Sequence, residues 1–295
     1  MSVAETRAVI LNEARNLWIE RPSITEDTGL HRDLCGTLCP LGLAFMSISE
    51  NIASVQARIE AAARLAGRSA ADVALLGVTK THSPERIREA HAGGLRLFGE
   101  NRVQEFAAKA SALAGLAGAE WHMIGHLQTN KAAKAVELFS AVDSVDSLKL
   151  AEKLDAAARA LGKKLPVLIE INVGGEAAKS GVAPDSGELE ELLLAVPRFE
   201  ALEFRGLMTV PPFTDDPEDA RPYFRKLREV RDAVAARKLP AIRMNVLSMG
   251  MSHDFEIAIE EGSTCVRVGT AIFGERAKAN RREPQNSKQS EDRRI

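Results

Sequence analysis

The sequence predicts a single (β/α)8 barrel, and three observations predict it. Short apolar runs alternate with helical stretches eight times in roughly 200 residues, the repeat that closes such a barrel. The runs are almost continuously apolar, as strands covered on both faces are, and the stretches between them can make the crossovers that parallel strands need. No GxGxxG follows the first run, which disfavours an open doubly wound sheet.

Residues 1–45 mix one short helix-like piece with "ERPSITEDTGLHRDLCGTLCPLG", where neither the helical nor the strand period persists. The expectation is a poorly ordered extension, or an upstream start unused in the cell. Regularity begins near Met46. Ser47 and Glu50 have capping-box spacing, and Ile52, Val55, Ile59 and Ala63 then recur at helical spacing. The predicted strands are "VALLGV" (73–78), "LRLF" (95–98), "EWHMI" (120–124), "SAVDSV" (140–145), "PVLIEI" (166–171), "EFRGLM" (203–208), "RMNVLS" (243–248) and "TCVRVG" (264–269). The predicted helices between them cover 83–91, 101–114, 130–137, 147–161, 187–196, 217–236 and 252–260. The barrel domain is therefore 46–275. The segment 276–295 is a charged tail without apolar anchors, expected to be disordered.

Composition excludes several classes. Acids outnumber bases 41 to 39, so no bulk positive field argues for nucleic acid. Three cysteines (Cys35, Cys39, Cys265) make no disulfide framework, which points to reducing cytosol. "CGTLC" has no second pair or nearby histidine cluster, so incidental cysteines are expected there rather than a metal site. The N-terminus has no unbroken apolar core, and the apolar stretch 34–45 is too short to span a bilayer. A cytoplasmic monomer with no membrane partner is the expectation.

In a (β/α)8 barrel the chemistry sits where strands end and the βα loops begin. The first run ends in Lys80, the second in "FGEN" with Asn101, and the third runs into "WHMIGHLQTNK". The seventh ends in "SMGMSHD" and the eighth in "RVGTAIFG". A lysine just past a strand is usually a surface lysine. A desolvated one loses proton affinity, and its neutral amine forms an imine with an aldehyde. The last two turns offer hydroxyls, glycines and backbone N–H groups where barrels often hold a phosphate. Ser248, Gly250, Ser252, Gly269 and Thr270 are the candidate phosphate ligands, against the simpler reading that the glycines only make tight turns. An aldehyde-reactive lysine facing a phosphate cradle describes pyridoxal 5′-phosphate.

At these residues the chain resembles a known family. "GVTKTHS", "FGENRVQE", "WHMIGHLQTNK", "KSG", "RGLMTV" and "LSMGMSHDFEIAIEEGSTCVRVGTAIFG" are similar to the YggS/PROSC family of pyridoxal-phosphate homeostasis proteins, over about residues 48–275. The resemblance implies the barrel of the alanine racemase N-terminal domain, with the cofactor carried on Lys80 as an internal aldimine. It also implies a role in vitamin B6 and amino-acid homeostasis without established turnover. Apo forms of enzymes that use the cofactor are the partners it suggests.

Arg267 bears on the absence of turnover. If Cys265 and Arg267 share the inward face of the eighth strand, the guanidinium reaches the pyridine nitrogen, as the matching arginine does in alanine racemases. A permanent cation there disfavours ring protonation and weakens the electron sink. The alternative role for Arg267 is a partner for a buried glutamate. Alanine racemases also take a tyrosine from a separate β domain. Here the one tyrosine, Tyr223, falls in a helix-like stretch, and no β-domain pattern follows the barrel. His122 is expected at the barrel mouth as a polar neighbour of the cofactor; with His126 it has no third ligand for a metal. "GGEAAKSG" lacks the ending of a phosphate loop, and "RKLREVRDAVAARK" reads as a solvated basic face. The competing functions are an amino-acid racemase and a Schiff-base aldolase acting on a sugar phosphate.

Overall fold

The computed structural model describes residues 47–176 and 179–275. The readings placed on 1–45, on Cys35 and Cys39, and on the tail 276–295 lie outside the described residues. The first helix, α1 (Ile48–Leu65), starts at the predicted capping box. Ser47 Oγ accepts the Glu50 N–H at 3.2 Å, and the Glu50 carboxylate accepts the Ser47 N–H at 2.7 Å. Its buried stripe of Ile48, Ile52, Val55, Ile59, Ala62 and Ala63 extends the predicted periodicity by a turn.

Eight parallel strands follow: β1 (Ala74–Val78), β2 (Leu97–Glu100), β3 (Glu120–Met123), β4 (Ala141–Val145), β5 (Leu165–Glu170), β6 (Leu202–Met208), β7 (Ile242–Met251) and β8 (Cys265–Val268). Each pairs with its sequence neighbour, and β1 pairs with β8 in the register Leu76 to Arg267, closing the barrel. The intervening helices are α2 (Pro84–Ala92), α3 (Val103–Leu113), α4 (Ala132–Leu138), α5 (Leu148–Ala160), α6 (Gly187–Ala195), α7 (Arg221–Ala236) and α8 (Phe255–Glu260), and α9 (Thr270–Phe273) ends the series. This is the predicted (β/α)8 fold.

Apolar side chains sort into two layers by the strand period of two. One large cluster joins the outward strand positions, such as Phe98, Val142 and Val266, to the helices. A second, small cluster of Leu76, Val78, Ile124 and Cys265 fills part of the lumen. Gly206 marks the closest strand approach: a Cβ there would lie 1.9 Å from the Val246 carbonyl oxygen on β7. Among the described residues no helix is long and apolar enough to cross a membrane.

Three predicted boundaries are corrected. The second strand begins at Leu97, not residue 95, because the Leu95 N–H is taken by the Ala90 carbonyl as it closes α2. The seventh strand runs through Met251, so "SMGM" is strand rather than turn. It carries an irregularity between Ser248 and Met251 against β8, which lets extended backbone pass the predicted end. Asp254 then accepts the Met251 N–H at 2.6 Å, and the helix starts at Phe255 instead of residue 252.

Candidate functional site

Lys80 follows β1 in a tight turn, closed by the His82 N–H donating to the Thr79 carbonyl at 3.1 Å. Thr81 adopts a left-handed backbone at φ 65°, costly for a β-branched residue, so the surroundings must enforce it. They do so from α3. Lys109, almost fully buried, pairs with Glu100 at 2.7 Å and donates to the Thr79 carbonyl at 3.0 Å. Glu100 accepts the Thr79 hydroxyl, and Glu105 accepts the Thr81 N–H. Burial raises the Glu100 pKa above the usual carboxylate range, with Lys109 opposing that rise. On the other side the His82 ring stacks on Phe273 of α9, with centroids 4.6 Å apart. The turn carrying Lys80 is thus fixed from below and from the side.

Across the lumen, Arg267 is 3 % exposed and held by two acceptors. Its Nη1 donates to Ser248 Oγ at 2.7 Å and its Nη2 to the Thr209 carbonyl at 2.6 Å. Among the described residues it forms no salt bridge, so it is not the partner of a buried glutamate. Burial lowers its pKa, with Cys265, Asp143, Glu170 and Asp254 pulling the other way. Beside it, burial and then Asp143 push the Cys265 thiol up to about 12, which leaves it unreactive at neutral pH.

The last two turns meet at Ser252, whose Oγ accepts the Gly269 N–H at 3.1 Å and the Ala271 N–H at 3.4 Å. A hydroxyl that accepts twice keeps its own hydrogen to donate. A cavity of about 420 Å³ gathers these parts: Lys80, Asn101, Ser252, Arg267, Gly269 and Thr270 all line it. Its rim carries Val210 and Phe213, the latter 75 % exposed.

Three of the expected site residues stand behind that wall. Ser248 is fully buried and occupied with Arg267. Gly250 lies within β7, not in a turn: its φ is +93°, which favours glycine, and a Cβ there would meet the Ala258 Cβ at 2.6 Å. His122 does not line the mouth cavity; its Nδ1 lies 3.0 Å from Asp143 in the lumen. Burial works against a charge on this ring, yet Asp143, by charge and hydrogen bond, and then Glu120 raise its pKa above the ordinary 6.5. His126 pairs separately with Asp146 at 2.9 Å, and no metal-holding cluster occurs among the described residues. The basic face of α7 is not merely solvated either, since Arg221, Arg225 and Arg228 surround the buried Glu261.

Sequence reasoning missed Glu100, Glu105 and Lys109. Their signal was faint: a lysine on the apolar stripe of Val103, Phe106 and Leu113.

Comparison with known proteins gives four findings. Residues 51–277 match the family model described as alanine racemase, N-terminal domain. A pyridoxal phosphate homeostasis protein of Aquifex aeolicus is 48% identical over 232 residues, covering 78% of this chain and 99% of the relative. One from Pseudomonas aeruginosa is 46% identical over 230 residues, covering 78% and 96%. PipY of Synechococcus elongatus, solved with PLP bound, superposes with a TM-score of 0.68 at 36% identity, covering 77% of this chain and 100% of that one.

Proposed function

The chain belongs to the family of pyridoxal phosphate homeostasis proteins, and from that membership we propose that it binds pyridoxal 5′-phosphate at the barrel mouth, covalently through Lys80, as a carrier rather than a catalyst. The observation that carries this reading is one cavity joining Lys80, Arg267 and the Ser252–Gly269–Thr270 turn. The PLP-bound structure of PipY supports it. The donor set suits the group. Ser252 accepts two backbone N–H groups and so has a hydrogen to give to a phosphate oxygen.

When bound, the cofactor supplies an aldehyde that condenses with amines and a pyridine ring that can accept electron density. Lys80 gives the amine, held in place by the fixed turn. Ser252 and Thr270 would hold the phosphate; Gly269, whose N–H is given to Ser252, shapes the turn between them, and Gly250 the wall behind. Arg267, oriented by Ser248 and Thr209, is a buried permanent cation that keeps a proton off the ring nitrogen and so weakens the electron sink. Tyr223 lies on α7 and does not line the cavity, so it offers no acid for racemisation. His122 acts from the lumen through Asp143 rather than by contact. The cellular setting that fits is the cytosol, with a monomer passing cofactor to apoenzymes.

The phosphate assignment is tested by titrating pyridoxal phosphate into the protein and into Thr270→Val. Losing a hydrogen bond to a charged group costs about 1.5–3 kcal/mol, so affinity should fall roughly ten- to hundredfold. The absorption of the bound fraction should not change. Equal affinities would remove Thr270 from the site.

A further inference from the structure

A second chamber, of about 550 Å³, opens beside the mouth cavity and shares Asn101, Ile124 and Val210 with it. Its other walls are Gly125, His126, Glu170, Lys179 and Ser180. The charges in it are unevenly matched. His126 has Asp146 at 2.9 Å, and Lys179 is paired with Glu176. Glu170 is 5 % exposed, yet it forms no salt bridge among the described residues. Its Oε1 accepts the Ser180 hydroxyl at 2.8 Å, while its Oε2 has no hydrogen-bond partner. Asn101 Oδ1, on the wall common to both cavities, is also buried and unpartnered.

Two buried acceptors without donors, one of them a carboxylate, define what would complete the chamber. Leaving a buried acceptor unmade costs as much as a lost hydrogen bond, and more for a charged group. A ligand carrying several N–H donors and a positive charge would satisfy both at once. We propose that this chamber binds a small primary ammonium ion, received by Glu170 Oε2 and Asn101 Oδ1. The site rests on the cofactor reading for its significance, because it places an amine next to the cavity that holds Lys80. The binding itself rests only on this chain's residues. Burial raises the Glu170 pKa above the usual carboxylate range, and a cation placed against it would oppose that rise.

The test uses the full chain with its cofactor fixed on Lys80 by borohydride, so that an added amine cannot react. Ethylammonium, tetramethylammonium and acetate are titrated and followed by saturation-transfer NMR. Ethylammonium should bind, and tetramethylammonium, which has charge but no N–H, should bind at least tenfold more weakly. Acetate should not bind. Glu170→Gln keeps the shape but not the charge, and should weaken ethylammonium binding about tenfold or more. Glycine in place of ethylammonium tells whether a carboxylate is also received near Lys179: tighter binding than ethylammonium means a zwitterion fits, weaker binding means a plain amine, and either keeps the ammonium site. Pyridoxal phosphate uptake by Glu170→Gln, measured separately, should match wild type. A failure of the amine site therefore leaves the cofactor reading intact; should the wild type take up no cofactor, that reading falls, and the same titrations on the unloaded chain decide the amine site. Equal binding of ethylammonium by wild type and Glu170→Gln, equal binding of the two cations, or no binding of ethylammonium by the wild type overturns the proposal.

Discussion

Arg267 and His122 are two basic groups in the lumen whose consequences separate cleanly. The guanidinium is held by Ser248 Oγ and the Thr209 carbonyl and is surrounded at longer range by acids, so Arg267→Gln is the gentle replacement. It keeps an amide donor for Thr209 and removes the charge. With the cofactor bound, the ring nitrogen should then take a proton more readily, altering the absorption. It should also speed exchange of an amino acid's α-hydrogen in deuterated water, visible by proton NMR. An unaltered spectrum would mean that Arg267 does not act on the ring. For His122 the consequence is stability. Its folded pKa stands above 6.5, so the imidazolium–Asp143 pair stabilises the fold below about pH 6.5. That contribution is lost as pH rises through the raised value. His122→Gln should therefore cost about 1.5–3 kcal/mol in denaturant unfolding near pH 5.5, and clearly less near pH 9.

At the scale of elements, α3 and the β1 turn form one unit through Lys109. Removing one partner of a buried ion pair costs about 3–5 kcal/mol because the other charge is left alone. Lys109→Met should therefore lower Tm by roughly 10 °C and loosen the turn at Thr81, weakening cofactor binding several-fold. Adding Glu100→Gln should restore part of the loss, since the orphaned carboxylate is gone. A double variant no more stable than the single one would refute the pairing. Elements were legible where burial on both faces wrote continuous apolar runs, as in "VALLGV" and "PVLIEI". They were illegible where one hydrogen bond decided the boundary, as at Leu95, or where an irregular register let β7 continue through Gly250. In the site, Lys80, Arg267 and Thr270 could be read because strand ends are positions in sequence. Glu100, Lys109 and Glu170 could not, because their meaning depends on neighbours distant in the chain.

For the whole molecule, barrel closure is what converts dispersed residues into a site. The β1–β8 pairing sets Leu76 beside Arg267, and so brings Lys80 near the turn that holds Gly269 and Thr270, some 190 residues later in sequence. The central claim is that this closed mouth holds pyridoxal phosphate through one particular amine. The most direct measurement is borohydride reduction of the cofactor-loaded protein, followed by peptide mass mapping and absorption spectroscopy of wild type and Lys80→Ala. The account predicts a near-visible band and a reduced adduct on the peptide containing Lys80, and neither in Lys80→Ala. An adduct mapped to another lysine in the wild type, or an undiminished band in Lys80→Ala, would contradict it.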